Sequence, residues 1–163
     1  MKNVKILAMA SAAVLLAAPA FAADANSTAG AEIVAPLQVA NTAPLYFGTI
    51  APSTTASDTV IVNAAGAKTC GAELTCLTTD HTPAAFDVTG EADYSYSITL
   101  PSSVNISNGA GGTMAVNNFT GSKASGTLTA GADDFTVGGT LAVAANQASG
   151  EYTGTFAVTV EYQ

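Results

Sequence analysis

The chain has 163 residues, of which 48% are hydrophobic and 10% are charged, and its formal net charge is −8. An acidic surface excludes the phosphate contacts of a nucleic-acid binder, and the small number of charges excludes a disordered acidic tail. One histidine and two cysteines are too few for the usual four-ligand zinc site. The sequence therefore predicts no cofactor, no metal site and no nucleic-acid partner.

Residues 1–22 have the pattern of a secretory signal peptide. Lys2 and Lys5 precede an apolar run that ends at Pro19, and residues 20–22 are Ala-Phe-Ala, a small–x–small cleavage pattern. The apolar run is shorter than the roughly 20 residues that a membrane span needs. We therefore predict export to the periplasm, the cell surface or an extracellular fibre, without insertion into a membrane.

The start of the mature chain predicts a flexible extension followed by an edge strand. Residues 23–31 are small and polar, and residues 32–163 are predicted to form one domain. Within 32–39, apolar residues alternate along one face, and Pro36 has no N–H to donate, which favours an edge position. That apolar face consists of Ile33, Ala35, Leu37 and Val39.

The middle of the chain alternates apolar and polar residues between turns rich in Gly, Pro and Asn. Residues 94–100 form a predicted strand that Pro101 closes. The pair Gly138-Gly139 predicts a bulge or bend inside a long strand. Further strands are predicted at 45–50, 59–63, 85–89, 113–119, 126–129 and 134–143.

The last segment, residues 152–162, has the clearest period of two. One face carries aromatic and β-branched residues and the other carries mostly Thr, which predicts a half-buried terminal strand. The predicted core face contains Tyr152, Phe156, Val158, Val160 and Tyr162. So many short strands predict an all-β antiparallel sandwich of about 7–9 strands.

Cys70 and Cys76 are predicted to form a disulfide, because export places them in an oxidising compartment. The alternative is a redox-active pair, although that chemistry usually has a Cys-x-x-Cys spacing. Residues 64–77, which include both cysteines, show no clear pattern of a strand or a helix.

No group of residues matches a catalytic motif. His81 follows Asp80 in a predicted loop, and a nucleophile elbow and a His-Glu-x-x-His motif are both lacking. The acidic pairs Glu91/Asp93 and Asp133/Asp134 are interpreted as solvated turn residues. We therefore predict no catalytic residue and a protein that is not an enzyme.

Three segments, residues 44–52, 85–101 and 145–162, resemble DUF4402, a family of secreted bacterial domains of unknown function. More distantly, residues 45–48 and 150–152 are similar to the Leu-x-Phe-Gly strand and the Gly-x-Tyr turn of spore-coat-U-type pilins. Those pilins belong to archaic chaperone–usher systems. This resemblance implies an immunoglobulin-like sandwich and a pilin-like or surface-fibre subunit joined by donor-strand exchange. It also implies three partners, namely further copies of the chain, a periplasmic chaperone and an outer-membrane usher.

Donor-strand exchange makes Ile33, Ala35, Leu37 and Val39 the candidate donor residues, which would fill a groove in the next subunit. The alternative is that the same segment is the domain's own first edge strand and that the protein is monomeric. A second alternative function is a binding module for carbohydrate or protein, with tyrosine rings as stacking faces. A hydrolase built around His81 is the third.

Overall fold

The computed structural model describes residues 21–163, so most of the predicted signal peptide lies outside the described residues. Residues 33–163 form one compact unit. The described residues contain no helix, which confirms the predicted all-β class, and no membrane-spanning helix is found among them. The strands are β1 (Gln38–Ala43), β2 (Ile50–Ala51), β3 (Asp58–Val62), β4 (Lys68–Cys70), β5 (Thr75–Cys76), β6 (Ala84–Thr89), β7 (Ser95–Thr99), β8 (Ser103–Ser107), β9 (Thr113–Gly121), β10 (Ser125–Thr127), β11 (Ala132–Val143) and β12 (Thr159–Tyr162).

A seven-stranded antiparallel sheet is organised around β11. Its main order is β1-β6-β11-β3-β4, with β9 paired to β11 and β8 paired to β9. Val137 of β11 pairs with both β6 and β9, and Leu141 pairs with both β3 and β9. Because a strand has only two edges, β6 and β3 follow one another along one edge of β11, and β9 lies along the other.

The change of partner along β11 occurs at Gly138 and Gly139. The register with β9 shifts between Gly138 and Thr140, which confirms the predicted bulge. A Cβ atom on Gly138 would lie 2.3 Å from the carbonyl oxygen of Val62. Glycine at this position therefore lets the chain after β3 pass close to the bend of β11.

A three-stranded sheet, β10-β7-β12, packs face to face on the β6–β11 part of the larger sheet. Tyr96 from β7 is fully buried there, and Phe86 and Phe135 stack with ring centroids 5.2 Å apart. The two layers form a sandwich-like arrangement. The domain has two core clusters, and the one between these two layers is called the second core cluster. Its buried residues are Ala84, Phe86, Val88, Tyr96, Leu128, Phe135 and Val137.

A two-stranded ladder, β2-β5, completes the pairing, and the predicted disulfide between Cys70 and Cys76 is present beside it. The first core cluster lies between this ladder and the β3–β11–β9 part of the larger sheet. Its buried residues are Phe47, Val60, Val62, Leu74, Val116, Leu141 and Val143.

Several strand predictions need correction. The strand predicted at 32–39 starts instead at Gln38, because Pro36 cannot donate to a ladder and Ala35 bonds to side chains of Glu91 and Tyr162. Of the segment 45–50, only Ile50 lies in a strand. The ladder of the terminal strand begins only at Thr159, because its partner β7 ends at Thr99. The described residues contain twelve strands, more than predicted, since β4, β5 and β8 were missed.

Asp133 is a member of a partly buried network and not, as its turn-like sequence suggests, a solvated turn residue. It accepts a hydrogen bond from Tyr96 and forms an ion pair with Lys123 at 2.7 Å. Burial alone would raise the pKa of Asp133, but the hydrogen bonds from Lys123, Tyr96 and the Asp134 N–H together hold this pKa below its usual value. Burial and the nearby carboxylate raise the pKa of Tyr96.

We expect Asp133→Asn to lower the free energy of unfolding by on the order of 1 kcal/mol at pH 7. Because the pKa of Asp133 is lowered in the folded state, its stabilising effect is present at neutral pH and is lost as the pH falls below about 4. Urea unfolding of both proteins between pH 7 and pH 2 checks this expectation. A difference between the two proteins that persists unchanged at pH 2 would contradict it.

Candidate functional site

The candidate site is a cleft of about 1110 Å³ over the first core cluster. One side of the cleft is formed by residues 44–52, which we call the first wall. The other side is formed by residues 147–156, which we call the second wall. The two walls are about a hundred residues apart in sequence, and the strands between them bring them together.

The floor of the cleft is apolar. It consists of side chains from β8, β9 and β11, which alternate along each strand so that one face points into the cleft. Val116 and Leu141 are each 3% exposed, whereas Ile106 and Met114 are partly exposed. The floor residues are Val104, Ile106, Met114, Val116, Leu141 and Val143. An occupant of this cleft would therefore contact an aliphatic surface.

The walls carry backbone groups without strand partners. Phe47 and Gly48 in the first wall pair with no described strand, and neither do Thr155 and Phe156 in the second wall. Each wall is attached at its other side, through Tyr46 to Thr82 and through Thr153 to Ser107. The cleft thus lies between two incomplete edges, which is the arrangement that an added extended segment can pair with.

Tyr152 fixes the second wall to the end of the β8–β9 hairpin. Its hydroxyl donates to the Ala148 carbonyl at 2.7 Å and accepts from Gln147 at 2.8 Å and from Asn108 at 3.3 Å. The Asn108 side-chain oxygen in turn accepts the Gly112 N–H at 2.8 Å. The Gly-x-Tyr turn of the sequence is therefore the anchor of this wall.

We expect Tyr152→Phe to lower the free energy of unfolding by about 1–2 kcal/mol, since it removes three hydrogen bonds and leaves their partners unpaired. Tyr94→Phe is the matched control, because the Tyr94 hydroxyl has no hydrogen-bond partner among residues 21–163. Urea unfolding of both variants measures the loss of unfolding free energy in each. Equal losses in the two variants would show that the network does not stabilise the wall.

The terminal face predicted from the sequence contributes to both the cleft and the second core cluster. Tyr152 and Phe156 line the cleft, while Val158, Val160 and Tyr162 pack against the second core cluster. Apart from the exposed Gly154, residues alternate between partly buried and exposed from Tyr152 to Tyr162, although backbone pairing is confined to the Thr153–Ser107 bridge and to Thr159–Tyr162. The floor strand β8 was missed, and the alternation of Val104 and Ile106 between polar residues is the signal that points to it.

The four candidate donor residues do not share one environment. Ile33 is 93% exposed. The N–H of Ala35 donates to Glu91 at 2.9 Å and its carbonyl accepts from Tyr162 at 2.9 Å. Leu37 packs against the second core cluster, and Val39 lies in β1 at the edge of the larger sheet. Ala35, Leu37 and Val39 thus contact the domain's own strands.

The groups considered for catalysis lie outside the cleft lining. The two ring nitrogens of His81 contact the backbone carbonyl oxygens of Thr79 and Gly66 rather than a hydroxyl or thiol group. Within residues 21–163 no three His, Cys, Asp or Glu residues are grouped as metal ligands. Among the tyrosines, Tyr46 is 49% exposed at the rim of the cleft, and Tyr96 is fully buried.

A comparison with protein families matches residues 37–162 to the family described as Domain of unknown function (DUF4402). No curated protein and no solved structure matches the chain. The matched residues include both walls, the floor and both core clusters. The chain therefore belongs to the DUF4402 family.

Proposed function

We propose that the protein is a non-enzymatic subunit of a surface fibre, and that its cleft receives an extended segment from a neighbouring copy. The observation that carries the proposal is the apolar cleft between two walls in which Phe47, Gly48, Thr155 and Phe156 pair with no described strand. An inserted segment gains main-chain hydrogen bonds to the walls and buries alternate side chains on the floor. Burying one large aliphatic side chain contributes about 1.5–3 kcal/mol.

The donor segment in this proposal is residues 23–34, which lies before the sequence-based candidate (residues 33–39) and shares only its first residues. Leu37 and Val39 belong to the domain's own core and edge strand, and Ala35 is hydrogen-bonded to Glu91 and Tyr162. Residues 23–34 contain no strand. Fully extended, they would reach about 40 Å, enough to follow a wall of ten residues.

The proposal implies export and assembly partners. A signal peptide at residues 1–22 would deliver the chain to the periplasm, and the fibre would extend from the cell surface. A chaperone that covers the apolar floor before assembly would prevent aggregation, since exposed apolar surface is prone to it. The resemblance to spore-coat-U-type pilins supports such a chaperone and an outer-membrane usher as partners.

A second candidate function is a monomeric module that binds a carbohydrate or a protein in the same cleft. The exposed Tyr46 ring at the rim favours it, because an aromatic face can stack on a sugar. Most of the other tyrosines are engaged in the core or in hydrogen bonds, among them Tyr96, Tyr152 and Tyr162.

The test is the size and morphology of the natively exported protein, by SDS-PAGE with and without boiling and by negative-stain microscopy. A ladder that collapses on boiling, together with thin fibres, is the expected result, and deletion of residues 23–34 is expected to abolish both. A monomer without fibres would reject the fibre subunit. Screening of glycans against the monomer, with Tyr46→Ala as the control variant, would then test the second function.

A further inference from the structure

The first wall of the cleft is attached through one short stretch of the chain. Ile50 and Ala51 pair with Cys76 and Thr75 of β5. The N–H of Leu77 donates to the Thr49 carbonyl at 2.9 Å. The bridge between Tyr46 and Thr82 is the next attachment. The backbone partners of the first wall therefore come from residues 75–82, and the described strands of the seven-stranded sheet do not pair with it.

The Cys70–Cys76 disulfide connects that stretch to the larger sheet. Cys76 pairs with Ile50 of the first wall, whereas Cys70 lies in β4 and pairs with Val60 of β3. Both cysteines also pack against the first core cluster, which lies under the cleft. The covalent bond thus runs from the sheet to the strand that holds the wall.

The disulfide closes too small a ring to stabilise the fold mainly through the unfolded chain. The two cysteines are separated by only 6 positions. A ring of about 15 residues is worth about 3 kcal/mol in the chain-entropy model, and a shorter ring is worth less. Without the bond, the wall would be held by a ladder of two residue pairs, the Leu77–Thr49 hydrogen bond and the Tyr46–Thr82 bridge, and so short a ladder is marginal in water.

We infer that the Cys70–Cys76 disulfide is a positioning element of the cleft, which keeps the first wall at the distance that an inserted segment needs. The assumption that a segment of a neighbouring copy occupies the cleft rests on the proposed function, whereas the effect of the disulfide on the first wall does not. The second core cluster contains neither cysteine, so we expect its hydrogen-exchange protection to be independent of the bond. Asp58 supports the same region, since its carboxylate accepts the N–H of Glu73 at 3.0 Å inside the ring.

The test compares the wild-type protein with the double variant Cys70→Ser/Cys76→Ser by site-resolved amide hydrogen exchange. The N–H groups of Tyr46 and Leu77, which report on the wall, are expected to exchange at least about tenfold faster in the variant. The N–H groups of Tyr96 and Phe135, which report on the second core cluster, are expected to keep their protection. Val137→Ala is the control, because it removes buried volume from the second core cluster without touching the wall.

Affinity for a synthetic peptide of residues 23–34 is the second measurement. If the wall is in place for only a tenth of the time without the disulfide, the Kd rises about tenfold. Wild-type protein that does not bind the peptide would reject the proposed occupant, and hydrogen exchange would still decide on the disulfide. Equal acceleration at Leu77 and Phe135, or unchanged exchange at Leu77, would overturn the inference.

Discussion

Replacing Gly138 by alanine should unfold the domain or cost it more than about 4 kcal/mol, whereas Gly139→Ala should cost less than about 1.5 kcal/mol. A Cβ on Gly138 would lie 2.3 Å from the Val62 oxygen and 2.6 Å from the Ala64 nitrogen, and these are backbone atoms that cannot turn aside. The nearest atoms to a Cβ on Gly139 are side-chain carbons of Val116 and Leu45 at 3.2 and 3.3 Å. Those side chains can shift by a few tenths of an ångström.

The two neighbouring glycines form a matched pair, because both are buried in β11 and receive the same methyl group. Soluble yield and urea unfolding by circular dichroism measure the two effects. The reason for the difference is topological, since β11 bends between β6 and β3 at Gly138 and the chain after β3 passes close to it. If Gly138→Ala were as stable as Gly139→Ala, the bend would not depend on that close approach.

Local alternation of side chains predicted the long strands of this fold well. The strands predicted at 59–63, 85–89, 113–119 and 134–143 all overlap observed strands, and the Gly138-Gly139 bulge is confirmed. These elements are predictable because each has a buried face, and a face recurs every second residue. The short strands β4 and β5 have two or three residues, too few for a period, and they depend on partners elsewhere in the chain.

The same periodicity cannot tell which backbone a segment pairs with. Residues 152–158 alternate like a strand because their side chains pack against the core, but their backbone has no ladder beside it apart from Thr153. Ile33, Ala35, Leu37 and Val39 also alternate, yet Leu37 packs in the domain's own core while Ile33 is exposed. The cleft could not be predicted from local sequence patterns, since strand pairing between residues far apart in sequence brings its two walls together.

Ile33→Asp should abolish assembly of the exported protein while leaving the folded monomer unchanged. Ile33 is 93% exposed in the monomer, so the substitution removes no packing there. In an inserted donor segment, alternate residues point to the floor. The odd-numbered positions of residues 23–34 are small or apolar, whereas the even-numbered positions include Asp24 and Glu32. In the proposed joint, the odd face, with Ile33 as its one large aliphatic residue, would therefore be the face that enters the apolar cleft.

An aspartate at position 33 would lose that aliphatic contact and bury a charge against Ile106, Val116 and Leu141, which should weaken the joint at least about a hundredfold. The control is Thr28→Asp, which adds the same charge to the same segment on the face that points away from the floor. The unboiled SDS-PAGE ladder should disappear in the first variant and remain in the second, with equal urea unfolding of the two monomers. Point substitutions keep the length of the segment after the predicted cleavage site, so this comparison changes less of the chain than the deletion does. A ladder that survives Ile33→Asp would show that residues 23–34 do not join the subunits through this face.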